Sequence, residues 1–383
     1  MRFEFATAAR IVCGPGSSSE LPGIAAAFGQ RAMVVTGSNP GRIRHLVERL
    51  HHAGLSTSLF SVQGEPTVDC VRRGAQQARG TCDLVIGIGG GSAIDAAKAV
   101  AAMATNSGEP LDYLEVIGQG RPLEHAPLPF IAVPTTAGAG AEVTRNAVLA
   151  SPDHGVKASL RGAALLAKAA IVDSNLTLDL PPFVTATTGL DALTQCIEPF
   201  VSIRANPMTD LFCREGMRLI SASLKRAFED GQDTAARESM AFASLLGGLS
   251  LANAGLGVVH GFAAPLGGML HAPHGALCAA VLPYGMAQNI EALRARAPEH
   301  PSLLKYREAA QILTGVVDVE PEEAVVWVRG LCQDLQIPPL RIYSLDRSQI
   351  PELVAKASHA SSMKANPLAL TDSELTRIIE QAL

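Results

Sequence analysis

The segment at 83–105 constrains the fold more than any other part of the sequence. An apolar run, Leu-Val-Ile-Gly-Ile at 84–88, leads directly into Gly-Gly-Gly-Ser at 89–92, and an alanine-rich helical pattern follows at 94–105. Apolar runs without alternation are typical of strands covered on both faces, as in parallel sheets. A strand, a glycine turn and a helix in this order therefore predict an α/β domain.

The rest of the chain divides at a double proline. Before it, β-like runs at 32–36, 56–60 and 130–134 alternate with helical patterns, whereas helical patterns alone follow one another after it. Proline cannot donate to a sheet ladder, so Pro181 and Pro182 make a natural break. We predict an α/β domain with a parallel sheet at 1–180 and an all-helical domain at 181–383.

Composition excludes several classes of protein. Hydrophobic residues make up 48% of the chain, charged residues only 17%, and the net charge is −5. The sequence contains no cluster of Lys and Arg, which argues against a nucleic-acid partner. The first residues lack a signal-peptide layout, and no uncharged run is long enough to predict a membrane span. The seven cysteines form no CxxC pair, which favours a reducing cytoplasm.

Two loops rich in small residues are candidates for binding a phosphate-containing ligand. The loop at 89–95 precedes a predicted helix, whose unpaired N–H groups and dipole attract anions; the alternative is a tight structural turn. The loop at 134–144 places hydroxyls among small residues; its alternative is an ordinary β-turn. Neither GxGxxG nor a Walker pattern is present.

A segment at 253–283 is nearly devoid of charge, yet it contains His260, His271 and His274. A buried imidazole needs a hydrogen-bond partner or a metal, so the histidines are either packed core residues or ligands. Upstream, Asp191 and Gln195 share one face of a predicted helix. Asp191 is either a carboxylate near that helix's N-terminus or the anionic ligand of a metal site, and we favour the second interpretation.

Together these motifs resemble the iron-containing (group III) alcohol dehydrogenase family. The resemblance rests on GGGSxxD at 89–95, PTTAGxxxEVT at 134–144, GLDALT at 189–194, NAGxxxxHG at 253–261 and PHG at 273–275. It implies a dinucleotide-binding α/β domain, a helical domain for metal and substrate, and a divalent metal in the cleft between them. It also implies a homodimer or a larger homo-oligomer.

The resemblance carries over residue by residue. It implies reversible hydride transfer between NAD or NADP and a small alcohol or aldehyde, with Fe²⁺ or Zn²⁺ as a Lewis acid. The implied metal ligands are Asp191, His260 and His274, of which Asp191 and His274 are also the implied catalytic residues. The implied cofactor-binding residues are Gly90, Gly91, Ser92 and Asp95 at the pyrophosphate, and Thr135, Thr136, Thr144 and Lys157 near the phosphates, the nicotinamide and its ribose.

Two positions depart from the family pattern. Gln195 stands where many members have a histidine, so the expected site is either Asp/Gln/His/His or a three-ligand site completed by water. Ala264 stands where a second histidine relays protons. Either His271 or a chain of waters takes over this relay, or proton exchange is slower.

Cofactor preference is predicted from Gly37, Ser38 and Asn39, which follow the run at 32–36. An acidic residue there would accept from the ribose 2′-OH and repel a 2′-phosphate. None is present, and Arg42 lies nearby, so we predict that NADP(H) is accepted at least as well as NAD(H). The competing hypotheses are a metal-independent enzyme of the maleylacetate reductase type, a lyase of the dehydroquinate synthase type and a non-catalytic family member. The sequence leaves the substrate and the metal open.

Overall fold

A six-stranded parallel sheet organises the N-terminal part of the protein in this structure, a computed structural model that describes residues 2–270 and 272–383. The strand order is β1-β8-β5-β4-β2-β3. The strands are β1 (Ile11–Cys13), β2 (Arg31–Thr36), β3 (Ser56–Ser61), β4 (Leu84–Gly89), β5 (Phe130–Pro134) and β8 (Ala169–Val172). Every residue of β4 and β5 is buried, as expected for strands covered on both faces.

Helices and a hairpin complete this unit. The antiparallel hairpin of β6 (Asn146–Ser151) and β7 (Val156–Arg161) is separate from the parallel sheet. The helices are α1 (Leu21–Ala26), α2 (Arg44–His52), α3 (Val68–Ala78), α4 (Gly91–Thr105) and α5 (Pro110–Tyr113). One core lies between α1, α2 and the sheet, with Leu46, Leu50 and Ile86 fully buried in it.

The C-terminal part is helical throughout the described residues. Its helices are α6 (Pro182–Val201), α7 (Pro207–Glu229), α8 (Thr234–Ala254), α9 (Val258–Leu270), α10 (His274–Arg296), α11 (Pro301–Thr314), α12 (Glu322–Asp334), α13 (Ile350–Ser358) and α14 (Asp372–Ala382). They enclose a large apolar core that includes Phe200, Phe262 and Leu277. The predicted class, an α/β domain with a parallel sheet followed by an all-helical domain, is confirmed.

The chain separates into two compact units. One comprises Ala6–Thr136 and Gly140–Leu178, and the other comprises Asp179–Leu383 together with 2–5 and 137–139. The sequence-based division at 180/181 stays a prediction, and it did not anticipate that two short N-terminal segments group with the helices.

In the described parts of the chain, no single helix is both long enough and apolar enough to cross a membrane. Helices α8 and α9 taken together have the length and apolar composition of a membrane span, but the chain bends by 99° at the break between them.

Candidate active site

Helix α6 carries a row of buried polar residues through an otherwise apolar environment. Asp191, Gln195 and Glu198 are 3%, 2% and 5% exposed, and their spacing places them on one face of the helix. The helix begins at Pro182, a position where the missing N–H of proline costs nothing. Burial of three such side chains is unfavourable unless each one finds a partner.

Two further helices begin at this face of α6. His260 lies in the first turn of α9, and His274 is the first residue of α10, preceded by Pro273. Cys278 follows His274 by four residues, so the two side chains lie on the same face of α10. The site is therefore assembled from one helix interior and two helix beginnings, all within the helical unit.

Four potential ligand atoms converge there. Those of Asp191, His260, His274 and Cys278 all lie within 4.8 Å of one another. Oδ1 of Asp191 is 3.3 Å from Nε2 of His260 and 3.8 Å from Nε2 of His274, which is 3.6 Å from Sγ of Cys278. A tetrahedral ion with bonds of about 2.0–2.3 Å separates its ligand atoms by roughly 3.3–3.8 Å, so these three distances fit such an ion.

Unsatisfied polar atoms mark the same place. Oδ1 of Asp191, Oε1 of Gln195 and Nε2 of His260 are buried and have no hydrogen-bond partner. An orphaned buried polar group costs about 1–3 kcal/mol, so Oδ1 of Asp191 and Nε2 of His260, only 3.3 Å apart, call for a common partner. Both atoms offer lone pairs when the imidazole is neutral, and a cation would satisfy them together. The residues present therefore fit a divalent metal ion.

The electrostatics of the cluster favour anionic ligands. Burial alone would raise the pKa of Asp191 and of the Cys278 thiol, but the imidazoles of His274 and His260 lower both below their usual values. Burial would lower the pKa of each imidazole, but Cys278 and Asp191 raise both pKa values above the usual range, that of His260 strongly. The carboxylate and the thiolate are the forms that bind a cation.

The structure brings together three of the predicted metal residues, Asp191, His260 and His274. Gln195 lies one turn after Asp191 and packs against Gly247 of α8, with its orphaned oxygen buried. Cys278 was missed by the sequence reasoning, although a His-x-x-x-Cys spacing at the start of a helix was available as a signal. The proposed relay through His271 falls outside the described residues.

The cofactor-loop residues lie in the sheet-containing unit. The ends of β2, β4 and β5 come to one edge of the sheet, where Gly37 adjoins Gly89, and Thr135 N donates to the Gly89 carbonyl at 2.9 Å. Thr136 packs against Gly90, the residue before α4. Gly91 and Ser92 form the first turn of α4, where unpaired N–H groups attract anions. Ser38 and Asn39 are exposed after β2.

Three other predicted cofactor residues are engaged by protein groups. Asp95 accepts from the backbone N–H of Val148 at 3.1 Å and lies 3.5 Å from the buried Nζ of Lys98. Thr144 Oγ1 accepts from the same Nζ at 2.9 Å. Lys157, which lies in β7, forms an ion pair in which its Nζ is 3.0 Å from Oε1 of Glu65. Their direct contact with a cofactor stays a prediction.

Carboxyl ends of parallel strands beside a helix N-terminus are typical of dinucleotide binding, and the cluster in the helical unit fits a divalent metal, so the two units carry the features of a dinucleotide-dependent, metal-assisted oxidoreductase. Residues 8–174 match the family described as iron-containing alcohol dehydrogenase, and residues 185–383 match the C-terminal part of the Fe-containing alcohol dehydrogenase family. The chain belongs to the iron-containing alcohol dehydrogenase family. It is an NAD(P)-dependent oxidoreductase that interconverts alcohols and aldehydes.

Individual relatives are similar to this chain over nearly its whole length. Alcohol dehydrogenase 4 of Saccharomyces cerevisiae is 33% identical over 362 residues, which cover 92% of this chain and 91% of the relative. A crystal structure of 1,3-propanediol oxidoreductase covers 100% of both chains with a TM-score of 0.92 and 31% identity. The NAD⁺ complex of sulfoacetaldehyde reductase from Bifidobacterium kashiwanohense covers 99% of this chain and 98% of that one, with a TM-score of 0.86 and 29% identity.

Proposed function

We propose that this enzyme oxidises a small alcohol, and reduces the matching aldehyde, at a Zn²⁺ site formed by Asp191, His260, His274 and Cys278. The observation that carries the proposal is the convergence of four potential ligand atoms within 4.8 Å of one another, with two of them orphaned and buried. Of Fe²⁺ and Zn²⁺, the two metals that the resemblance implies, the thiolate favours zinc, because sulfur and imidazole in a tetrahedral set are typical of that ion.

The roles of the residues follow from their chemistry. A divalent cation at this cluster supplies Lewis acidity toward the oxygen of the alcohol, and the nicotinamide accepts the hydride. Asp191 and Cys278 supply the two negative charges that balance the cation, and His260 and His274 supply neutral nitrogen ligands. His274, with a side chain that is 37% exposed, borders the accessible side of the cluster, where a substrate oxygen would enter.

Gln195 has two candidate roles, as a further oxygen ligand or as a residue beside the ligands. Its buried oxygen has no hydrogen-bond partner, which supports ligation. We propose that Gln195 would be a further, weak oxygen ligand of the cation. Metal retention that is unchanged in Gln195→Ala, measured against the parent, would reject ligation.

Elemental analysis tests the metal site. The parent purified without chelator should contain close to one zinc per chain, whereas Asp191→Asn and Cys278→Ser should lose most of it. After substitution with Co²⁺, the parent should show a thiolate charge-transfer band that Cys278→Ser lacks. Cys332→Ser is the matched control, because Cys332 lies on α12 outside the ligand cluster. Activity that survives complete metal removal would instead support the maleylacetate reductase type.

We propose further that NADP(H) serves at least as well as NAD(H). No acidic side chain follows β2, where Ser38, Asn39 and Arg42 are exposed and can approach a 2′-phosphate. Ser38→Asp should reduce kcat/KM with NADP by at least about tenfold, and reduce it less with NAD, because the new carboxylate repels the phosphate. A parent enzyme that strongly prefers NAD would contradict the proposal.

We also propose a cytoplasmic homodimer or larger homo-oligomer. Free thiols at Cys70, Cys82, Cys196, Cys213 and Cys278, all buried, support a reducing compartment. Light scattering on the purified enzyme tests the oligomer, and a mass equal to one chain would reject it.

A further inference from the structure

His260 is held between two carboxylates of one helix. Its Nε2 lies 3.3 Å from Oδ1 of Asp191, and its Nδ1 lies 2.7 Å from Oε2 of Glu198. Asp191 and Glu198 stand two turns apart on the same face of α6, so a single rigid element sets both distances. The side chains of all three residues are at most 6% exposed, so water does not compete for these contacts.

The two contacts are not equivalent. A bound cation requires His260 to be neutral, with one N–H, and Nδ1, at 2.7 Å from Glu198 and nearer to a carboxylate than Nε2 is, is then the nitrogen that keeps and donates it. The other nitrogen, Nε2, then presents a lone pair toward Asp191 Oδ1, which is itself an acceptor without a partner. Glu198 therefore selects the tautomer in which Nε2 of His260 is available to a cation.

Glu198 also fixes the backbone that carries His260. Its Oε1 accepts from the N–H of Val259 at 2.7 Å, and Asn366 Oδ1 accepts from the N–H of Val258 at 3.1 Å. These are first-turn N–H groups of α9, which have no partner within the helix. A Cβ at Gly257 would lie only 2.8 Å from Asn366 Oδ1 and 2.9 Å from Glu198 Oε1, so a larger residue there would displace one of these two capping oxygens.

Asn366 is anchored independently of the metal cluster. It exchanges side-chain hydrogen bonds with Asn289 of α10 at 3.1 and 2.8 Å, and its Nδ2 donates to the carbonyl of Leu368 at 2.9 Å. The start of α9 thus has two side-chain caps. Only one of them, Glu198, also touches the imidazole.

We propose that Glu198 is a positioning residue of the metal site: with one oxygen it orients the ring and sets the tautomer of His260, and with the other it fixes the first turn of α9. It acts through His260 and does not contact the cation. The proposal rests on the proposed function, because it requires a divalent metal at the cluster. Groups that orient metal-bound histidines in this way commonly contribute 10–100-fold to metal affinity.

Glu198→Gln and Asn366→Ala separate this role from simple capping. Glu198→Gln keeps the size of the side chain but removes the charge that holds Nδ1–H, whereas Asn366→Ala removes the other cap and leaves His260 untouched. The measurements are zinc affinity by chelator competition, the visible spectrum of the Co²⁺ enzyme, and the Tm of the metal-free protein. Glu198→Asp, which keeps the charge on a shorter side chain, is the conservative variant for rescue.

Zinc affinity should fall about 10–100-fold in Glu198→Gln with an altered Co²⁺ spectrum, recover in part in Glu198→Asp, and change less than about threefold in Asn366→Ala. The metal-free Tm should fall in Asn366→Ala. Equal losses of zinc affinity in Glu198→Gln and Asn366→Ala would show that capping alone matters and would overturn the proposal, as would unchanged affinity in Glu198→Gln. A parent protein that binds no zinc or Co²⁺ would instead reject the proposed function itself.

Discussion

The close contact between α6 and α10 should control both stability and metal retention. Gly275, directly after His274, lies so near α6 that an added Cβ would be 2.5 Å from the carbonyl oxygen of Thr187 and 2.9 Å from its carbon. These are backbone atoms, which cannot rotate away as a side chain can. Ordinary contact begins at roughly 3.5 Å, so Gly275→Ala must move α10 away from α6 by roughly 1 Å.

The expected magnitudes follow from that displacement. Overpacking of this kind costs about 1–3 kcal/mol, which corresponds to a fall in Tm of roughly 3–10 °C for a unit of this size. Metal sites tolerate changes in ligand distance of only about 0.2 Å, and α10 carries two ligands while α6 carries Asp191. Gly275→Ala should therefore release zinc to a chelator at least about tenfold faster than the parent.

Gly330 of α12 provides the matched control. It is exposed, and a Cβ there would meet no atom within 4 Å. Gly330→Ala should leave zinc release unchanged and stabilise the protein by up to about 1 kcal/mol through helix propensity. The measurements are differential scanning fluorimetry and chelator kinetics on both variants. A Gly275→Ala protein that keeps the parental Tm and the parental rate of zinc release would refute the reasoning from helix contact.

Three further predictions concern buried and charged groups away from the metal. Burial raises the pKa of Glu142 to about 7, so between about pH 4.5 and 7 the folded state keeps a proton that the unfolded state loses, and the free energy of unfolding should fall as pH rises through this range. Glu142→Gln should abolish this pH dependence and stabilise the protein above pH 7 by on the order of 3 kcal/mol, measured by urea titration across pH. Hydrogen bonds from Arg31 and Gln30 lower the pKa of Asp83 to about 2, so its contribution is present above about pH 4 and is lost as pH falls toward 2, and Asp83→Asn should flatten the acid side of the stability profile. Lys98→Met should destabilise the protein by about 3–5 kcal/mol, because it leaves Asp95 without its cation, whereas Lys225→Met at the exposed pair with Asp334 should leave the free energy of unfolding nearly unchanged in the same urea titration.

Local chemistry explains what the sequence could predict. The run at 84–88, the glycine triplet and the helix after it are adjacent in the chain, so their patterns sufficed to place a buried strand before a helix N-terminus. The hairpin of β6 and β7 was not predicted, although a turn signal, Pro-Asp-His-Gly at 152–155, separates its two short strands and Gly155 has a left-handed conformation. The pairing Val148↔Ser159 depends on contacts that no single segment encodes.

In the metal cluster, too, some residues could be predicted from the sequence and one was missed. Asp191 and the histidines of the segment at 253–283 could be predicted as candidates, because a carboxylate and imidazoles in apolar segments require partners, and the family resemblance then selected His260 and His274. Cys278 was missed because it is one of seven cysteines, and the His-x-x-x-Cys spacing places it on the same face as His274 only if both lie in one helix, as they do in α10. Where α10 begins depends on the packing of α10 on α6, which is a tertiary property.

Charge balance connects Gln195, which departs from the family pattern, with Cys278, which was not predicted. An aspartate with three neutral imidazoles leaves a bound divalent cation with one uncompensated positive charge, which is costly in a site as apolar as this one. Gln195 supplies no charge, but Cys278 supplies a thiolate whose pKa is lowered by His274 and His260 despite burial. Asp191 and Cys278 together would therefore neutralise a divalent cation, and Gln195, which is neutral, would not disturb this charge balance. With Cys278 supplying the second negative charge, a neutral Gln195 is physically compatible with a loaded metal site. The departure at 195 therefore gives no argument for a non-catalytic protein.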